Sequence, residues 1–402
     1  MRARPDQSTC ARVLDQSAQP RSLARLKEEP EMMKRVLALS ALSLILALSW
    51  PAAEGSAQGP GEQPDMTIDA AQRTEVIEGV LKRLNDGYVF PEVAGKMEQA
   101  IRDRIKKKEY DQITSAKAFA QKLTADLQEV SRDKHLRVNY SHRPIPIQIR
   151  SEPSAEERER FLGQLRSTNF GFEKVERLQG NVGYLDLRGF TPAEFGAETA
   201  SAAMNFLANT DALIVDLRRN GGGDPAMVAL ISSYLFAGET VHLNDLYWRE
   251  GDSTRQWWTL PYVPGRRFGD KKPVYVLTAK RTFSAAEEFT YNLKNLKRAT
   301  IVGETTGGGA HPGGGRRINN HFGVWVPTGR AINPYSKTNW EGTGVTPDID
   351  VPADHALKVA YVDALKKVQE RTTDLDRKNA LKGVIETAQK ELDEMKAGKA
   401  KP

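Results

Sequence analysis

Between residues 67 and about 130 apolar positions recur at three- and four-residue spacing: Val76, Val80, Leu81 and Leu84 in one run, Phe119, Leu123 and Leu127 in another. A period near 3.6 places each run on one face of a helix. Asp69 and Thr114 stand where N-caps belong, and Pro91 breaks the region between helices. Residues 67–140 therefore read as an N-terminal helical cap domain, entered through the polar linker 58–66. A second, highly charged helix is expected over 154–165, inside a connecting segment 141–179.

From Gly180 the pattern changes. Residues 181–187 (NVGYLDL) and 212–217 (ALIVDL) are short apolar runs, and 192–209 reads as a helix with Phe195, Ala202, Ala203 and Phe206 on one face. An apolar helix around 227–236, a strand at 273–278, a helix at 284–296 and a strand at 299–303 follow, and 322–327 alternates as a further strand. Strands alternating with helices of this length imply right-handed crossovers and a mainly parallel sheet covered on both faces. The expected class is α/β, with its core over 180–355. The tail, 356–402, is helical and charged, and reads as a solvated face or packing arm.

Composition narrows the function. A net charge of +6, from 58 basic and 52 acidic residues, is small and dispersed. No basic run is interleaved with aromatics, so a nucleic-acid partner is not expected. The single cysteine, Cys10, lies in the segment 1–57, which reads as a leader with a signal peptide. Lys34-Arg35 precede an uncharged apolar run, 36–50, and small residues end at a cleavage site after Ala57. The run is shorter than the roughly 20 residues of a spanning helix, so no stable membrane span is expected after cleavage, although retention as an anchor stays open. Translation could start at Met1 or at Met32/Met33. A mature form without Cys10 has neither disulfides nor a cysteine nucleophile.

Sites in open α/β sheets form beyond the carboxyl ends of strands. Two segments qualify. Asp216–Asp224 carries Gly221, Gly222 and Gly223 directly after a strand, and could be an anion nest or only a tight connection. Thr282–Glu288 follows a strand and opens a helix at Ser284, which could be a nucleophile; Ser284 and Glu287 also fit an ordinary capping box. A serine nucleophile needs a histidine and the histidine an orienting group. Of six histidines, His135 in a polar turn and His311 in the glycine-rich stretch 307–315 are the candidates. No His-Glu-x-x-His pair or dense histidine–carboxylate cluster is present in the sequence, so neither a catalytic metal nor another cofactor is expected.

The ordered series LTADLQEVSRDKHLRV, VGYLDLRGF, ALIVDLRRNGGG, LTAKRTFSAAEEF, ATIVGETTGGGAHP and EGTGVTPDIDV resembles the C-terminal (tail-specific) processing peptidase superfamily. Within it, the chain is most similar to the branch of tricorn core domains and interphotoreceptor retinoid-binding protein modules. The resemblance covers about residues 70–355 and implies a crotonase-like (ClpP-like) core of β-β-α units. It implies that Ser284 is the nucleophile. The lysine that processing peptidases pair with it would fall at Gly309, so a Ser-Lys dyad is in doubt. The tricorn-like branch implies instead His135 as base and Glu341 as its partner, with the oxyanion held by the backbone N–H groups of Gly221 or Gly222 and of Ala285. The function so implied is an exported, periplasmic or extracellular serine endopeptidase acting on unfolded or C-terminal polypeptide segments. The alternative is a non-catalytic module of the same fold that binds an apolar ligand such as a retinoid or lipid.

Overall fold

The computed structural model describes residues 63–147 and 154–398. The expected leader, its apolar run, Cys10 and the alternative start residues lie outside the described residues. The first elements are α1 (Ala70–Gly87), α2 (Pro91–Lys106), α3 (Ala116–Ser131), β1 (Arg137–Tyr140), α4 (Ala155–Ser167), β2 (Phe172–Leu178) and β3 (Val182–Leu187). Then come α5 (Ala193–Leu207), β4 (Ala212–Asp216), α6 (Pro225–Ser233), β5 (His242–Trp248), β6 (Ser253–Trp258), β7 (Val274–Thr278) and α7 (Ala285–Asn295). The chain continues through β8 (Thr300–Gly303), β9 (Gly313–Arg317), β10 (Phe322–Pro327), β11 (Gly329–Ile332), β12 (Ile349–Asp350), α8 (Ala356–Arg371) and α9 (Leu375–Lys396).

Local chemistry sets the helix starts. The Asp69 carboxylate accepts from the Gln72 N–H at 2.8 Å while the Gln72 side chain accepts from the Asp69 N–H at 3.0 Å. This capping box satisfies two of the donors a helix start leaves orphaned. Pro91 occupies the first turn of α2, where a missing N–H costs nothing. The cap of α3 is Ser115 rather than Thr114: the Thr114 carbonyl accepts from the Ile68 N–H at 2.8 Å, and the Ser115 hydroxyl takes the Ala118 N–H at 3.0 Å.

The amino-terminal helices share their core with a distant hairpin. β10 lies between β1 and β9, antiparallel to both, and Phe322, Val324 and Val326 on β10 join Val76, Val80, Leu84, Phe119 and Leu123 in one apolar cluster. The segment 67–140 is thus continuous in space with 313–327.

The central sheet has the order β12-β8-β7-β4-β3-β2, parallel except for the edge strand β2. Successive strand residues face opposite sides. Leu185, Leu187, Leu213, Val215, Val274 and Val276 meet α5, α6 and α7. Val182, Tyr184, Ala212, Ile214, Tyr275 and Leu277 meet α8 and α9. The charged tail is therefore a packing layer on the second face, through Ala360, Ala364, Leu365, Leu381, Ala388 and Leu392. The buried stripe of α5 also differs from expectation. Gly196, Ala200, Ala203, Met204 and Leu207 face inward, whereas Phe206 is 57% exposed and Ala202 is exposed too. Small residues line the stripe because neighbours come close: a Cβ on Gly196 would lie 3.1 Å from the Met227 side chain.

Because β4, β7 and β8 are adjacent and parallel, their carboxyl ends emerge side by side. The loops 217–224, 279–284 and 304–312 follow these strands, and the site forms where they meet.

Leu365 is fully buried between α8 and the sheet. Leu365→Ala is expected to lower the unfolding free energy by about 2–5 kcal/mol in urea titration; a loss under about 0.5 kcal/mol would mean the tail is not part of the core.

Candidate active site

Ser284 stands at the turn from β7 into α7 with φ 55° and ψ −122°. A residue with a Cβ adopts such angles only when its surroundings force them, at a cost of order 1–3 kcal/mol. Several contacts do so. The Thr282 hydroxyl donates to the Leu217 carbonyl at 2.8 Å and accepts from the Ala279 N–H at 3.0 Å, and the Phe283 N–H reaches the Asn220 carbonyl at 3.2 Å. From the other side comes Gly222, at φ 112°, where a Cβ would sit 2.8 Å from the Ser284 Cβ. Only glycine lets the two loops approach so closely.

The Ser284–Glu287 capping box forms, and Glu287 does more than cap. Its buried carboxylate accepts four hydrogen bonds: from the Ser284 N–H at 2.9 Å, the Thr306 hydroxyl at 2.5 Å, the Gly308 N–H at 2.6 Å and the Gly309 N–H at 2.8 Å. Burial pushes this carboxyl above the usual range, and the four donors pull against that rise.

Gly309 in turn borders His135. A Cβ at 309 would lie 2.2 Å from the Phe283 ring and 2.7 Å from His135 Cε1. The space beside Gly309 is therefore filled by Phe283 and His135. The His135 ring rests on the Phe283 ring, with centroids 4.6 Å apart, next to Ser284. Its Nδ1 is buried without a hydrogen-bond partner, and enclosure by protein lowers its pKa to about 4. The imidazole is thus neutral near pH 7, the form a general base requires.

Glu341 lies on the far side of the same turn. One oxygen accepts from the Ala310 N–H and stands 3.5 Å from His311 Nδ1, while Oε1 is buried and unpaired. Burial and the nearby Asp133 charge raise this carboxyl above its ordinary value. His311 Nδ1 is closer still to Asp133, at 2.8 Å, and its ring meets Phe90 edge-on at 5.3 Å. Asp133 is fully buried; it accepts from the Tyr88 hydroxyl at 3.1 Å and, through its other oxygen, from the His135 N–H at 3.0 Å.

The structure thus brings His135 beside the Ser284 turn, but sets Glu341 against His311 rather than against His135. No hydrogen bond joins Ser284 to either imidazole among the described residues. For the oxyanion donors one correction follows: the Gly222 N–H donates to the Asn220 side chain at 2.8 Å and is not available. Gly221 is exposed, and neither its N–H nor that of Ala285 has a hydrogen-bond partner among the described residues. Asp133 and Tyr88 had only weak sequence signals, an Asp two residues before a histidine and a Tyr closing a helix.

Two family profiles match the chain: peptidase family S41 over residues 181–351, and the N-terminal domain of peptidase S41 in eukaryotic IRBP over residues 70–168. Residues 181–351 thus form a peptidase family S41 domain, preceded over 70–168 by a match to the N-terminal domain. Among relatives of this chain, the chloroplastic carboxyl-terminal-processing peptidase 2 of Arabidopsis thaliana is 27% identical over 42% of the chain and 32% of its own length. The carboxy-terminal-processing protease of Bartonella bacilliformis is 30% identical over 44% of the chain and 40% of its own length. The chain thus spans two fifths or less of the length of these relatives. A crystal structure of a candidate peptidase from Parabacteroides merdae has the same fold, with a TM-score of 0.51 at 19% identity, covering 73% of this chain and 96% of that one.

Glu287→Gln places an amide NH2 against backbone donors. It is expected to cost at least about 1–3 kcal/mol of stability for the donors left unpaired, read from urea unfolding. A midpoint equal to wild type would remove Glu287 as the tie between the loops.

Proposed function

We propose that this chain is a serine peptidase in which Ser284 attacks the acyl carbon, His135 takes its proton, and Glu341 orients the imidazole and stabilises its cation. The observation that carries this reading is the strained Ser284 backbone at a strand-to-helix turn, at the carboxyl ends of parallel strands, with a neutral imidazole packed at a tilt against the ring of the adjacent residue. Strain of this kind is kept where function needs it, and a serine on a sharp strand-to-helix turn presents its hydroxyl outward. His135 Nδ1 and Glu341 Oε1 are both buried without a hydrogen-bond partner, one a nitrogen and the other a carboxylate oxygen. Asp133 joins the two residues: it accepts from the His135 backbone N–H and pairs with His311, which faces Glu341. Hydrogen bonds in such sites often tighten only around a substrate, which supports a Glu341–His135 link formed on binding.

The tetrahedral oxyanion would be held by the N–H groups of Gly221 and Ala285, each worth about 10²–10³ in rate. The core carrying these residues is read as crotonase-like. The substrate class is an unfolded or C-terminal polypeptide segment, matching the processing proteases the chain resembles. The leader pattern supports export to a periplasm or the outside, and no described helix is long and apolar enough to cross a membrane.

Ser284→Ala is expected to abolish hydrolysis of denatured casein while leaving the circular dichroism spectrum intact. His135→Ala should lower the rate by about 10²–10⁴, and His311→Ala should lower it less. Activity retained in Ser284→Ala removes the nucleophile; a wild-type rate for His135→Ala transfers the base to His311.

A further inference from the structure

Asp133, His311 and Glu341 come from three separate loops, yet the ligand atoms they offer all lie within 4.8 Å of one another. We propose that these three side chains bind a zinc-class divalent transition ion, and that the bound ion switches the peptidase off by occupying Glu341.

The donor set has the right chemistry. One imidazole nitrogen and two carboxylate oxygens are the three-ligand set of an open tetrahedral zinc site, whose fourth position is left to water. An imidazole together with a low ligand count disfavours calcium and magnesium, which take oxygen ligands in larger number. In a tetrahedron with zinc–ligand bonds of about 2.0–2.2 Å the ligand atoms stand about 3.3–3.6 Å apart. His311 Nδ1 already lies 3.5 Å from Glu341 Oε2 and 2.8 Å from Asp133 Oδ2. The ion would replace the proton between His311 and Asp133, which would have to part by about half an ångström or more to reach tetrahedral spacing, with the Asp133–Glu341 edge adjusting from within 4.8 Å.

Electrostatics points the same way. Two largely buried carboxylates share this cluster, and His311 is the only basic side chain within ion-pair distance of either among the described residues. A divalent cation would neutralise both. The ligands are also fixed by hydrogen bonds: the Tyr88 hydroxyl and the Ala310 N–H donate to the ligand oxygens Asp133 Oδ2 and Glu341 Oε2 themselves, and the His135 backbone N–H holds the other Asp133 oxygen. Outer partners of this kind orient metal ligands. Glu341 Oε1 is buried without a well-formed hydrogen bond, and the Lys134 backbone N–H is the other donor facing this carboxylate.

The switching half of the proposal rests on the catalytic reading above; the binding half does not. The full chain is titrated with Zn²⁺ by calorimetry and with Co²⁺ by visible absorption at neutral pH, for wild type, His311→Ala, Glu341→Gln and His242→Ala. His242, paired with Asp245 at 2.6 Å, supplies a second histidine–carboxylate pair as control. The expected result is one tight Zn²⁺ per chain with a tetrahedral Co²⁺ spectrum. Binding should weaken by more than about 10–100-fold in His311→Ala and in Glu341→Gln, and should stay unchanged in His242→Ala. Glu341→Gln, nearly isosteric, decides the matter if His311→Ala does not fold. Absence of a stoichiometric ion, or wild-type affinity in the folded ligand variants, overturns the site. Casein hydrolysis should fall with the same half-saturation as binding. Zn²⁺ bound without inhibition overturns the switch alone, and a chain inactive without zinc fails the catalytic reading while the titration still decides the site.

Discussion

The Glu287 carboxylate is where the loops of the site converge: it accepts from Ser284 on its own turn and from Thr306, Gly308 and Gly309 on the loop after β8. A buried carboxylate is expensive unless every acceptor position is used. Here the four donors come from segments whose positions the parallel sheet has already set. The result is a rigid link between the strained backbone of Ser284 and the glycine stretch that borders His135. A second tie is the Gly307 N–H, which donates to the Thr282 carbonyl at 2.9 Å, so residues 306–309 are held against the serine turn by this bond as well as by Glu287.

Close approach is the second constraint, and glycine makes it possible. Gly222 lets the loop after β4 touch Ser284, and Gly309 leaves room for the Phe283 and His135 rings. The two positions act differently on chemistry. At Gly222 the N–H is used by Asn220, so the loop's shape is secured by a buried side chain and the free donor passes to Gly221. At Gly309 the missing side chain is what leaves room for the imidazole of His135 against Phe283.

Much of the fold was legible from periodicity. The alternating segment 322–327 is the strand Phe322–Pro327, and the apolar runs at 212–217 and 273–278 are central parallel strands, because a strand buried on both faces reads as a continuous apolar run. Phe206 misled because helical spacing cannot tell which of two neighbouring stripes meets the sheet; small residues, not the phenylalanine, face inward. The site was legible only in parts. Ser284 and its capping partner Glu287 are local, so spacing revealed them. Asp133 and His311 are 178 residues apart, and nothing in spacing joins them. The histidine–carboxylate cluster that the sequence did not display as a motif therefore exists only in three dimensions.

The most direct test of a reactive Ser284 is labelling of the full chain with a fluorophosphonate, in which the serine oxygen displaces fluoride from phosphorus, followed by mapping of the adduct by mass spectrometry. The account predicts a covalent adduct on Ser284, formed more slowly when Glu287 is replaced by glutamine. A folded protein that stays unlabelled, or carries the adduct elsewhere, would contradict it.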